Sequence, residues 1–135
     1  MTHERFYAGG FFFNPKTEEI LLHKRDGNTD VNPNKWGFFG GTSEEGEVPV
    51  ETFIREIKEE LGQTLKKEDI VELRNYLNKE RNIQRYVFYV ESDKKKSEMT
   101  LGEGADLDWI SLDKVFDFVL TDKTVDDLNF FMETL

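Results

Sequence analysis

The chain has 135 residues, room for one domain (1–135) with one sizeable core. It is 37% hydrophobic and 13% aromatic, with twelve Phe, which excludes a largely disordered chain. Eighteen basic against 28 acidic side chains leave a net charge of −10, which argues against a nucleic-acid polymer or an anionic membrane as partner.

Phe6 to Phe13 is aromatic and apolar around Gly9-Gly10 and reads as a strand with a close backbone approach at the glycines. Asn14-Pro15-Lys16-Thr17 is a turn signal, and Glu19 to Arg25 reads as the second strand of a hairpin. Asp26 to Lys35 is a polar loop. Trp36 to Phe39 reads as a short strand ending at Gly40-Gly41, with an acidic loop from Thr42 to Glu47. Pro49 to Leu61 is the clearest helix, because Val50, Phe53, Ile54, Ile57 and Leu61 recur at helical spacing. Pro49 suits its first turn and Gly62 its stop. Ile70 to Leu77, Arg85 to Val90 and Leu107 to Ile110 read as strands, and Ser92 to Ser97 as a charged loop. Ser111 can cap a helix from Leu112 to about Val119. Asp122 to Leu135 reads as a terminal helix with Val125, Leu128, Met132 and Leu135 as its core stripe. Strands mixed with two or three helices imply an α+β or layered α/β/α domain.

No apolar run approaches the ~20 residues of a membrane helix, and Met1 to Arg5 lacks the pattern of a signal peptide. The absence of Cys excludes disulfides and thiolate chemistry and points to a reducing cytoplasm. A small phosphorylated ligand remains compatible with the charge if a cation mediates. His3 and His23 are too isolated to suggest a metal site, and His23, beside Lys24 and Arg25, reads as an exposed strand residue.

The central helix carries the chemistry. With Phe53 at 0° on a wheel of about 100° per residue, Glu56, Glu59 and Glu60 fall near 300°, 240° and 340°. They form one stripe beside the buried face, with Arg55 and Lys58 placed elsewhere and no cation interleaved. Like charges at this spacing repel by a few tenths of a kcal/mol per pair. A bound hard cation, Mg²⁺ or Mn²⁺, would relieve the repulsion; a solvated acidic face is the plain alternative.

The preceding loop weighs toward the cation. From Gly41 the chain runs through five residues to Glu47 and seven more to Arg55-Glu56-Ile57-Lys58-Glu59-Glu60-Leu61-Gly62. This resembles the Nudix box, G-x(5)-E-x(7)-R-E-U-x-E-E-x-G-U, with U a bulky aliphatic. The resemblance fails only at Gln63, where an aliphatic residue belongs. The flanks Leu21 to Arg25, Lys35 to Gly41 and Asp108 to Leu112 extend the likeness over most of the chain, with Phe39 where many relatives carry Pro.

The resemblance implies a Nudix α/β/α sandwich with a mixed sheet. It also implies a divalent-metal hydrolase of a nucleoside diphosphate linked to another group, with MutT-like nucleoside triphosphate hydrolysis foremost. Nucleotide-sugar or dinucleotide hydrolysis and non-catalytic nucleotide binding are the alternatives, in a monomer or homodimer. By position, Glu59, Glu60 and the Gly40 or Gly41 carbonyl would hold metal. Glu56 would be a further ligand or the general base, and Arg55, paired with Glu47, would orient the carboxylates. Outside the box, Glu103 is the expected extra ligand, competing with Glu98, Asp106 and Asp108. Arg25 is a phosphate contact by the same likeness. Trp36, Phe38, Phe11, Phe13, Tyr86 and Phe88 could stack on a base or simply form core. Asp122 could read a base edge, or Asp122 or Thr121 could cap the last helix.

Overall fold

Strand β1 (Phe6–Asn14) has every residue from Ala8 to Phe13 buried, so both of its faces are covered. The structure is a computed structural model that describes residues 4–25, 27, 34–102 and 106–135. β1 pairs antiparallel with β2 (Glu19–Lys24), as the turn at Asn14 to Thr17 predicts, and parallel with β6 (Ile83–Glu91). β5 (Ile70–Asn78) flanks β6 at one edge, and β7 (Asp106–Ser111) pairs with β2. The result is a mixed seven-stranded sheet among the described residues.

The strand expected from Trp36 to Phe39 is two strands. β3 (Trp36–Gly37) pairs with β2, while β4 (Phe39–Thr42) pairs with β1. The backbone changes partners at Phe38, which places Gly40 and Gly41 inside a strand rather than past its end. The loop expected from Asp26 to Lys35 lies largely outside the described residues.

Helix α1 (Pro49–Leu61) covers one face of the sheet. Its Phe53, Ile57 and Leu61 are fully buried against Ala8, Phe12, Leu21 and Phe39. It stops where the periodicity predicts, because Gly62 takes a left-handed φ of 68° and returns its N–H to the Lys58 carbonyl. Helix α2 (Asp122–Glu133) covers the other face, through Leu128 and Phe131 against Phe11, Phe13, Ile20 and Val87. Two helices on opposite faces of one mixed sheet make the expected α/β/α sandwich.

Two helical expectations are corrected. Leu112 to Val119 holds only a single 3₁₀ turn, Val115–Asp117. Val115 and Leu112 are buried there, but Phe116 and Val119 are exposed, so no continuous stripe supports a longer helix. In α2 the buried face is Thr124, Asp127, Leu128 and Phe131, whereas Met132 and Leu135 are exposed. Phe131 decides the phase by packing edge-on to Phe11, Phe13 and Tyr89, with ring centroids 4.9–5.1 Å apart.

Candidate active site

A cavity of about 920 Å³ is lined by residues of both helices and of six strands. Gly40 and Gly41 of β4 and Glu56 and Glu60 of α1 line one part. Arg85 of β6, Asn78 of β5, and Thr121 to Thr124 at the start of α2 line another. Its size lies within the usual range for small-molecule sites.

The glycines let α1 approach. A Cβ on Gly41 would lie 2.4 Å from Oε1 of Glu56, and one on Gly40 would lie 2.5 Å from the Ala8 carbonyl and 2.7 Å from the Tyr7 hydroxyl. A side chain at Gly40 would collide with backbone, and one at Gly41 would displace the Glu56 carboxylate, which rests directly against the β4 backbone.

Arg55 organises the acidic cluster. Its Nε donates to Oε2 of Glu47 at 2.8 Å, Nη2 to Oε1 of Glu47 at 3.2 Å, and Nη1 to Oε1 of Glu56 at 3.0 Å. Nη1 also reaches Glu59 at 3.4 Å, and Nη2 reaches the Thr42 carbonyl at 3.1 Å. The expectation of a stripe without an interleaved cation is therefore corrected. Arg55 sits one turn from Glu59, and its long side chain spans the wheel angle to Glu56. The bidentate Arg55 contact holds the Glu47 carboxyl down to about 2, against the opposing effect of its partial burial. This pair stays ionised throughout the physiological range.

The donor set suits a hard divalent ion. Among the described residues no three acidic or imidazole groups already form a cage. Glu56 and Glu60, however, line the same cavity as Gly40 and Gly41, and Glu56 is cradled on the Gly41 backbone. One or two carboxylates and a carbonyl, with water and phosphate oxygens completing the shell, are what Mg²⁺ ordinarily takes. Glu59 is mostly exposed, is held toward Arg55, and does not line the cavity.

Arg25 and Asp122 line the cavity, and Trp36 does not. Trp36 packs edge-on against Phe118. Phe38 touches the cavity, while Phe11 and Phe13 are core, Tyr86 packs on Phe6, and Phe88 stacks on Phe53. Thr121 is the cap of α2, accepting from the Thr124 N–H at 3.3 Å, so Asp122 is the first helical residue instead. Gly62 turns the chain so that Gln63 donates to the Glu98 carbonyl at 3.0 Å. Glu103 and His3 lie outside the described residues. Asp106 is paired with Lys96, and Asp106, Glu98 and Asp108 do not line the cavity.

Several cavity residues escape the sequence reading. His23 is not exposed, as expected, but buried. Nε2 donates to the Phe38 carbonyl at 3.0 Å, the ring stacks on Phe39, and burial holds its pKa down to about 4, so it is neutral. On the far side, Asp127 of α2 is fully buried and accepts from three groups. These are Nη2 of Arg74 at 2.8 Å, Nε of Arg85 at 2.9 Å and the Tyr76 hydroxyl at 2.8 Å. Burial first, and then the Asp127 charge, raise the Tyr76 hydroxyl to about 12. The available signal for this network was polar: Asp127 on the wheel face of Leu128 and Phe131, and Arg85 opening an otherwise apolar strand.

The family model described as NUDIX domain matches residues 3–133. Three solved structures show the same fold at low identity. MutT described from Aliivibrio salmonicida and Vibrio cholerae is 19% identical, covers 98% of this chain and 100% of its own, and has a TM-score of 0.79. A MutT protein from Methanosarcina mazei is 24% identical, with 99% of each chain covered and a TM-score of 0.71. A bifunctional NMN adenylyltransferase/ADP ribose pyrophosphatase from Francisella tularensis, complexed with AMP and a Mn ion, is 18% identical. It covers 99% of this chain and 42% of its own, with a TM-score of 0.73.

Proposed function

The chain belongs to the NUDIX family, hydrolases of pyrophosphate bonds, and from that premise we propose that it hydrolyses a nucleoside diphosphate linked to a further group. (Deoxy)nucleoside triphosphates, oxidised ones included, are the foremost substrate class, and Mg²⁺, with Mn²⁺ accepted, is the cofactor. The observation that carries this reading is Glu56 and Glu60 facing one cavity with the Gly40-Gly41 backbone. When bound, the metal neutralises phosphate charge and lowers the pKa of an attacking water. Glu60 would hold the ion, with a Gly40 or Gly41 carbonyl and, on the same reading, Glu59 and Glu103. Glu56 would be a further ligand or the general base that accepts the proton of the attacking water, a role that needs hydrogen-bond reach. Arg55 positions Glu56 through its contacts to both Glu47 and Glu56. Arg25 contacts phosphate.

A cavity of about 920 Å³ also leaves room for a second sugar or nucleoside, which favours nucleotide sugars or dinucleotides as the second reading. A phosphate-release assay over a nucleotide panel tests the proposal. Turnover is expected with millimolar Mg²⁺ and is expected to vanish in EDTA, while Mg²⁺ raises the Tm by relieving carboxylate repulsion. Full activity in EDTA would overturn the metal mechanism.

Asp122 is the proposed base reader, because Thr121 already serves as the cap. Asp122→Ala should cost well under 1 kcal/mol of stability, only a first-turn dipole interaction. It should raise KM for the preferred purine nucleotide and flatten the purine-to-pyrimidine ratio of kcat/KM, since a base edge is left unpaired. An unchanged ratio removes Asp122 from the substrate site.

A further inference from the structure

Arg85 is a buried cation whose hydrogen bonding is incomplete. It is 8% exposed and lines the cavity. Only its Nε has an acceptor among the described residues, Oδ2 of Asp127 at 2.9 Å. Its guanidinium lies over the Tyr7 ring, 4.5 Å from the centroid, with Phe38 at 5.9 Å. One edge is therefore pinned by Asp127 and one face by Tyr7. The four N–H groups of Nη1 and Nη2 have no acceptor among the described residues, and neither nitrogen is among the buried unpartnered atoms, so both remain open on the cavity side. Burying an Arg–Asp pair does not by itself favour folding, so its placement on a cavity wall calls for a ligand. Beside it, Asn78, also 94% buried by its 6% exposure, lines the same wall and has an unpartnered Oδ1.

We propose that Arg85 is a specificity-determining residue that grips two adjacent hydrogen-bond acceptors on the substrate with its Nη1/Nη2 fork, and that Asp127 is the residue that positions it. The inference rests on the nucleotide reading above. A planar fork matches paired acceptors, as a point charge does not. On a nucleotide, two sources present such a pair: the O6/N7 edge of guanine and two oxygens of a phosphoryl group. Asp127 keeps the fork fixed because Arg74 and Tyr76 lock its other oxygen. No rotation of the guanidinium is then needed on binding, which keeps the ordering cost low.

The test is steady-state kinetics of Arg85→Lys with saturating Mg²⁺, using GTP, 7-deaza-GTP, ATP and UTP, with Ile20→Val as control. Lys keeps a charge for Asp127 but has no fork. Arg85→Lys is expected to raise KM about tenfold or more with kcat changed less than threefold. Ile20→Val, in the core beneath α2 and outside both the cavity and the Asp127 network, is expected to lower Tm and leave KM unchanged. If guanine is the source, the wild type prefers GTP to 7-deaza-GTP and Arg85→Lys erases that preference. If phosphate is the source, KM rises equally for all four. Either pattern supports the proposal. A folded Arg85→Lys protein with every KM within twofold of wild type overturns it. So does an equal KM rise in Ile20→Val, which would make the effect one of destabilisation alone. A wild type that neither binds nor hydrolyses any of the four overturns the nucleotide reading itself, and this inference with it.

Discussion

Glu60→Gln and Glu56→Gln are each expected to lower kcat by at least about 100-fold at saturating Mg²⁺, the scale of losing metal or general-base help. Both carboxylates line the cavity, and Gln keeps their shape while removing the charge. The fold should survive, because neither side chain belongs to the α1 core of Phe53, Ile57 and Leu61. Glu60→Gln, which removes one of several like charges, should leave the apo Tm level or slightly higher, whereas Glu56→Gln also loses the ion pair to Arg55 and should not raise it. Glu59→Gln belongs in the same series. As a metal ligand it costs a comparable factor; as a group that only meets Arg55 from solvent it costs little. Near-full kcat in both the Glu56 and Glu60 variants would mean that the acidic stripe is a solvated face, and the hydrolytic assignment of these residues would fall.

Asp127→Ala should be the most destabilising single change of those considered, at about 3–5 kcal/mol. The reason is electrostatic rather than volumetric. Asp127 has no solvent exposure, and its removal strands the Arg85 guanidinium and the Tyr76 hydroxyl in a partly dry environment. Arg74 is a quarter exposed and can turn to water, so its share of the loss is smaller. The expected fall in Tm is on the order of 10 °C for a domain of this size. Thermal melts followed by circular dichroism would measure it. A drop of less than about 3 °C would show that the three donors find other partners and that the network contributes little to the fold.

The route from sequence to site was uneven for physical reasons. The spacing of α1 is local, so its apolar face, its Pro49 start and its Gly62 stop follow from helical periodicity alone. The pairing of Arg55 with Glu47 was implied by the box and is present at 2.8 Å. The contact of Arg55 with Glu56 and Glu59 is invisible on the helical wheel, because a wheel records where side chains start and not how far an arginine reaches. The burial of His23 is hidden from the sequence for a related reason. Its neighbours Lys24 and Arg25 suggested solvent, but strand alternation sends successive residues to opposite faces, and Phe38 and Phe39 close over the ring.

By itself the sequence determined the family, the apolar face of α1 and which helix bears the carboxylates. All of these rest on residue types at fixed spacing along a short stretch of chain. Tertiary structure alone decided what faces the cavity. Arg85, Asp127 and Arg74 lie up to 53 positions apart, and they meet only because β5 and β6 pair antiparallel and α2 packs across them. Arg74 and Tyr76, two residues apart on β5, share one face of the strand and both reach the same Asp127 carboxylate. No local pattern encodes that meeting, because strand order and register are set by the whole core at once.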